Sequence, residues 1–415
     1  MQEVKHVPPE EPEEDLMFSV MMFGIGLALL FPWNTMLRTI AYLRVRLQGS
    51  SFEGNFANYL TTSFTISNTF SMGLLVLGRT DEYMLKSSSK RIIVGLVLNA
   101  VWLLVASFGP VVDFVGWKMS GDSYFVMLLV TVLLMGASTA LLQKGVYGYT
   151  AGLPVRYTPL MLLGQGSAGL LATLLSFGLF KPTPLIAAGF FWGGVLVVLT
   201  GLGLFLHCSR KYQEGPTKRI SFKQVRDGFQ GISFYALSIL LVMMVTLSLF
   251  PSVMAMVKPN SANSSYASIF LQLGYLTFDL GDIAGKFMPN LSALAFGPDH
   301  LMTKGLALVR FAFYPIFFVC NISGFAQTFA LPDYAYFLML FLFALTNGYA
   351  NALLLMNAPV MAARKLHVNG GGENDDPRAR AGTIMGLFIN LGLASGSLLS
   401  FACRAFLCRC NPFKN

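Results

Sequence analysis

The chain has 415 residues, of which 54% are apolar and only 12% charged, about half the ~25% charged share of soluble domains. With 36 Phe and a mean hydropathy of +0.61, the composition excludes an ordinary soluble enzyme, whose surface must be charged. It also excludes a disordered or collagen-like chain. Lys and Arg exceed Asp and Glu, 29 to 20, for a net charge of +9. In a lipid-embedded chain this excess points to basic cytoplasmic loops, not to nucleic acid.

The first residues carry Glu10, Glu11, Glu13, Glu14 and Asp15, the opposite of a basic signal-peptide start. The first apolar segment is therefore expected to stay as a spanning helix. Spanning takes about 20 mostly apolar residues, and eleven segments qualify. They are 17–37, 56–78, 92–115, 124–150, 159–180, 184–207, 233–257, 266–289, 303–325, 334–361 and 381–407. The joins carry turn signals such as Gly49-Ser50-Ser51, Ser87-Ser88-Ser89, Pro182, Gly215-Pro216, Pro259-Asn260 and Gly370-Gly371-Gly372.

With the N-terminus inside, seventeen Lys/Arg fall on the inner side and nine on the outer, the latter including Arg38, Arg44 and Arg46. This bias predicts a cytoplasmic N-terminus and an extracellular or luminal C-terminus. The most basic loop contains Arg210, Lys211, Lys218, Arg219, Lys223 and Arg226. It divides the chain into an acidic N-tail (1–16), an N-terminal bundle of six helices (17–207), a basic cytoplasmic linker (208–232) and a C-terminal bundle of five (233–415). Six plus five helices around a central path is the layout of a two-bundle transporter. Asn263-Ser264-Ser265 is a glycosylation sequon in an expected outer loop.

Charge at membrane depth is costly, so ionisable groups inside spans are functional candidates. In the eighth segment Asp279, Asp282 and Lys286 stand at i, i+3 and i+7, on one helical face. Asp282 precedes Lys286 by four, the better order for an ion pair. The cluster reads either as a structural pair or as a polar site facing a cavity. Gly281 and Gly285 would let the opposite face pack closely. Arg310 is expected to snorkel to the inner surface or to bind a carboxylate across the bundle. In the first segment Pro32 is expected to open the helix beside Trp33 and Asn34. Trp33 reads either as an interfacial belt residue or as an aromatic face for substrate. Gln143 offers a donor and an acceptor together, which suits a nucleobase edge. Glycines beside it, and in Gly164-Gln165-Gly166-Ser167-Ala168-Gly169, suit tight helix contacts.

No Walker loop, HExxH or metal-ligand spacing is present, and the five Cys read as free thiols or lipidation sites. No enzyme, cofactor or metal is expected. His6, His207, His300 and His367 lie near loops or helix ends.

Taken in order, these stretches resemble the equilibrative nucleoside transporters over almost the whole chain. Pro32-Trp33-Asn34 is similar to the family's first-helix motif. Gln143 with Tyr147-Gly148 and Gly152-Leu153-Pro154 is similar to the fourth. Phe250-Pro251 resembles the seventh-helix pair, Arg310 to Asn321 the ninth, and Thr346-Asn347-Gly348-Tyr349 the tenth. Ala381-Gly382-Thr383 through Arg404-Ala405 resembles the eleventh. The resemblance implies an all-α, eleven-helix, major-facilitator-like fold with a 6+5 two-bundle arrangement. It implies alternating-access transport of nucleosides, with nucleobases as further substrates, either facilitative or proton-coupled. By motif match Trp33, Asn34 and Gln143 would face the base. Asp282 and Lys286 would lie near the ribose hydroxyls, with Asp279 beside them. Arg310, Asn347 and Phe250 would serve structure or gating.

Two departures stand out. Lys286 occupies a position where most members have Arg, and lysine lacks the planar fork. A polyspecific organic-cation branch shares this Lys, so an organic-cation or monoamine carrier is the alternative. Asp279 stands where many members have Asn, and a second carboxylate suggests either cationic substrates or a proton-coupled step. Lys144, where a Gly is common, has no account from the sequence. The expected partners are substrate, protons and the lipid bilayer, and the chain is expected to be a monomer. Its expected location is the plasma membrane, with a vacuolar or lysosomal membrane as the alternative.

Overall fold

In a computed structural model of the chain, residues 16–408 are described apart from 54–55, 78–86, 118, 152, 155, 178–182, 210–221, 262, 323–330 and 369–376. The acidic N-tail, most of the basic linker, Gly370-Gly371-Gly372, Cys410 and the side chain of Cys408 lie outside the described residues. Among the described residues the regular structure is helical, joined by turns and irregular segments, and the one β-type pairing is an isolated antiparallel bridge, Val257 with Ile322.

The first half holds α1 (Leu16–Arg38), the short α2 (Ile40–Arg46), α3 (Phe56–Leu77), α4 (Ser88–Phe114), α5 (Gly121–Ala151), α6 (Tyr157–Ser176) and α7 (Pro184–Cys208). The second holds α8 (Phe222–Leu249), α9 (Ser264–Phe287), α10 (Leu301–Val309), α11 (Phe313–Phe318), α12 (Asp333–Val368) and α13 (Pro377–Cys408). Some helix starts carry side-chain caps. Ser87 accepts from Lys90 N at 3.2 Å, and Asn263 accepts from Ser265 N at 2.9 Å and Tyr266 N at 3.2 Å. Thr183 caps α7, whose first residue is Pro184.

Among the described residues eight helices are long and apolar enough to cross a membrane: α1, α4, α5, α6, α7, α8, α12 and α13. α3, rich in Thr, Ser and Asn, and α9, with its three charges, are long enough but more polar. The expected ninth span is broken. α10 gives way to a 3-10 turn, Arg310–Ala312, before α11. Pro315 explains the break, because it lacks an N–H and its ring crowds the carbonyl four residues back, at Phe311. The count of eleven is thus not confirmed exactly. Pro32, by contrast, does not open α1, which runs on to Arg38. Asn34 and Thr35 side chains bond back to Leu30 O (3.0 Å) and Phe31 O (2.9 Å) there.

α1 packs on α6 and α7, α4 on α5 and α7, and α3 on α5; in the second half α8 packs on α12 and α13, and α9 on α12. The two halves meet where α6 lies on α9 and where α3 and α5 lie on α13. α9 reaches α12 through its glycine face, as expected. A Cβ on Gly281 or Gly285 would lie 2.7 Å from Phe341 O or 2.1 Å from Leu345 O. Large apolar side chains such as Phe70, Leu196 and Leu338 remain exposed. They give the outer surface of the helices the character of a lipid contact.

Candidate functional site

The adjoining face of α9 carries the charges. Lys286 Nζ lies 2.6 Å from Asp282 Oδ2, so the spacing of four does make an ion pair. Asn347 of α12 donates its Nδ2 to Asp282 Oδ1 at 2.7 Å. Each carboxylate oxygen therefore has one protein donor and retains lone-pair capacity.

Asp279 is held separately. Arg38, the last residue of α1, donates Nη2 to Asp279 Oδ2 at 2.8 Å and to Oδ1 at 3.2 Å. Its Nε donates to Thr173 of α6 at 2.7 Å, and the Thr173 hydroxyl donates to Asp279 Oδ2. The guanidinium lies 4.0 Å from the centre of the Tyr275 ring. Both side chains of the pair are buried. Two carboxylates close together are tolerated because each has its own cation. The sequence leaves the three charges of α9 one positive charge short; Arg38 supplies it.

α6 admits this face because it presents glycines. A Cβ on Gly169 would lie 2.5 Å from Asp279 Oδ1, and one on Gly166 would lie 3.6 Å from Lys286 Nζ. The Asn34 amide oxygen lies 3.6 Å from the same Gly169 position, so Asn34 borders Asp279.

The remaining candidates, Trp33, Gln143, Phe250 and Arg310, each have partners of their own. Trp33 stacks on Phe64 of α3 with ring centroids 4.1 Å apart. Gln143 accepts from Asn390 Nδ2 of α13 at 2.9 Å, across the two halves, and Thr69 bonds Asn390 O at 2.7 Å. Phe250, just after α8, stacks on Phe278 of α9 at 3.7 Å and meets Tyr275 edge-on at 5.6 Å. It thus lies against the ring that Arg38 covers. Arg310 neither snorkels nor meets a carboxylate directly. It is fully buried and donates to Phe343 O, Thr346 Oγ1 and Thr246 Oγ1 at 2.7–2.8 Å. Lys144 also has a partner that the sequence did not suggest: its Nζ donates to the backbone carbonyl of Leu75 in α3.

Sequence reasoning missed Arg38, Thr173, Thr246 and Asn390. Arg38 falls with Arg44 and Arg46 in an expected basic outer loop, and its partner lies 241 residues away. The hydroxyl and amide residues carry no charge that would mark them in an apolar run. Cys208, Cys320 and Cys403 are buried and in no disulfide.

Comparison with known proteins bears on the family and the fold. The profile of a family described as "Nucleoside transporter" matches residues 129–215 and 206–405. The chain is 25% identical to equilibrative nucleoside transporter 2 of Homo sapiens, with 94% of this chain and 97% of that protein covered. It is 25% identical to equilibrative nucleotide transporter 1 of Arabidopsis thaliana, with 92% and 85% covered. Among solved structures it is similar to the D-xylose-proton symporter (TM-score 0.57, 14% identity, 95% and 90% covered). It is also similar to the Major Facilitator Superfamily transporter FucP in the outward conformation (TM-score 0.54, 14% identity, 94% and 98% covered).

Proposed function

The chain belongs to the nucleoside transporter family, and from that membership we propose that it carries nucleosides, and nucleobases as smaller substrates, by alternating access. It is a multi-pass integral membrane protein with a major-facilitator fold, and its relatives are named transporters, not enzymes. The observation that carries the reading is the charged face of α9, which lies on the contact between halves and draws partners from both.

In this reading Asp282 accepts from two vicinal ribose hydroxyls, and Lys286 keeps it ionised beside them. Trp33, Asn34 and Gln143 serve the base, the first by stacking and the others by amide hydrogen bonds. The Arg38–Thr173–Asp279 clasp holds the halves together on one side of the path and opens during the cycle, with Phe250 backing it. The bundles are 17–207 and 233–415, joined by the cytoplasmic linker 208–232. The N-terminus is cytoplasmic, the plasma membrane is the site of action, and the monomer is the working unit.

The organic-cation carrier is not favoured. Lys286 raised it, and Asp279, the carboxylate that would draw a cationic substrate, is already paired with Arg38. Uptake-competition panels at two pH values test the reading. Unlabelled nucleosides should displace labelled adenosine and a monoamine should not; the reverse ranking would overturn it.

A further inference from the structure

Arg310 is a full charge with no exposed surface and no carboxylate among its hydrogen-bond partners. Its Nε has no acceptor among the described residues. Burying such a charge is costly, and it sits where Pro315 has already broken the helix. Its hydrogen bonds lead to the substrate-side carboxylate in three steps. Arg310 Nη2 donates to Thr246 Oγ1 at 2.8 Å. Thr246 Oγ1 lies 2.6 Å from Asn347 Oδ1. Asn347 Nδ2 donates to Asp282 Oδ1 at 2.7 Å.

We propose that Arg310 is a positioning residue for ribose recognition, acting through Thr246 and Asn347 to hold the Asp282 carboxylate in the orientation that reads a vicinal diol. The inference rests on Asp282 being the ribose ligand.

The polarity of the chain follows from its ends. A guanidinium only donates and a carboxylate only accepts. Thr246 accepts from Arg310, which leaves its single proton for Asn347 Oδ1, with Val242 O, at 2.7 Å, as the competitor. The Asn347 amide then has one orientation, oxygen towards Thr246 and nitrogen towards Asp282. Bonds in such a chain polarise one another in a low-dielectric interior. Lys286 holds the other oxygen, Oδ2. The carboxylate is thus pinned at both oxygens, and each has a lone pair left for one hydroxyl. Remove the relay and one oxygen is free to turn towards Lys286.

The test compares inhibition of transport by uridine and by 2′,3′-dideoxyuridine, which lacks both hydroxyls. The ratio of their inhibition constants is measured in wild type, Asp282→Asn, Thr246→Val and Arg310→Gln. Thr246→Val keeps shape and charge but breaks the relay, and so covers the case in which Arg310→Gln fails to fold. Thr246→Val should lower the preference for the diol by about five-fold, the worth of one hydrogen bond, with the dideoxy constant unchanged. A lowered preference in Asp282→Asn but not in Thr246→Val overturns the relay. So does an equal loss of both ligands in Thr246→Val, which marks a merely structural role. An unchanged preference in Asp282→Asn instead overturns the assignment of Asp282 to ribose, and the relay with it.

Discussion

Arg38 and Asp279, 241 residues apart in sequence, form a buried ion pair of 2.8 Å that ties α1 to α9. Removing one partner of such a pair strands the other charge, at a cost of about 3–5 kcal/mol, whereas removing both is often nearly neutral. Arg38→Leu and Asp279→Leu should each lower the thermal unfolding midpoint of the purified protein, and the double variant should recover most of the loss. Additive losses would show that the two side chains do not act as a pair.

The same contact depends on a missing side chain. Because a Cβ on Gly169 would fall 2.5 Å from Asp279 Oδ1, Gly169→Ala must push the carboxylate off Arg38 or part α6 from α9. It should reduce uptake sharply at equal expression. Gly189→Ala, where nothing lies within 4 Å, is the control and should leave uptake at the wild-type level. Equal behaviour of the two would remove the α6–α9 contact from the transport cycle.

The pair also gives a sign for pH. A protonated Asp279 loses its attraction for Arg38 and one acceptor position, so lower pH favours opening of the clasp. Any rise in uptake as external pH falls from about 8 to about 5 should therefore vanish in Asp279→Asn, which is neutral throughout. A pH profile unchanged by the substitution would free Asp279 of any role in proton coupling.

How much of this was legible in the sequence follows from what charge does in lipid. Asp279, Asp282 and Lys286 stand out because an apolar run carries almost no other charge, and helical spacing puts them on one face. The same spacing foretold the Asp282–Lys286 pair and a close-packing glycine face, whose partner, α12, only the structure names. Arg38 was hidden, since a basic residue at a helix end reads as a loop anchor until its distant partner is known. Arg310 was visible but misplaced: sequence offered the surface or a carboxylate, and only the packing of α8 and α12 supplies hydroxyls and a carbonyl for it. Pro32 and Pro315 look alike in sequence. The helix runs on past Pro32, whereas the segment that holds Pro315 is broken by a 3-10 turn.

Lys286 bears on substrate choice. Lys286→Ala should weaken transport of ribosides more than that of free bases, because the bases make no use of Asp282. Measured uptake of uridine against uracil gives the ratio; equal losses for both would make the pair structural.

The central claim is that the α9 carboxylate beside Lys286 belongs to the path of a nucleoside carrier. Uptake of labelled uridine into proteoliposomes, with wild type and Asp282→Asn at matched folding, tests it most directly. The account requires saturable uptake by wild type that unlabelled nucleosides suppress, and its near loss in Asp282→Asn. Absence of nucleoside uptake by the folded wild type, or full uptake by the variant, would contradict it.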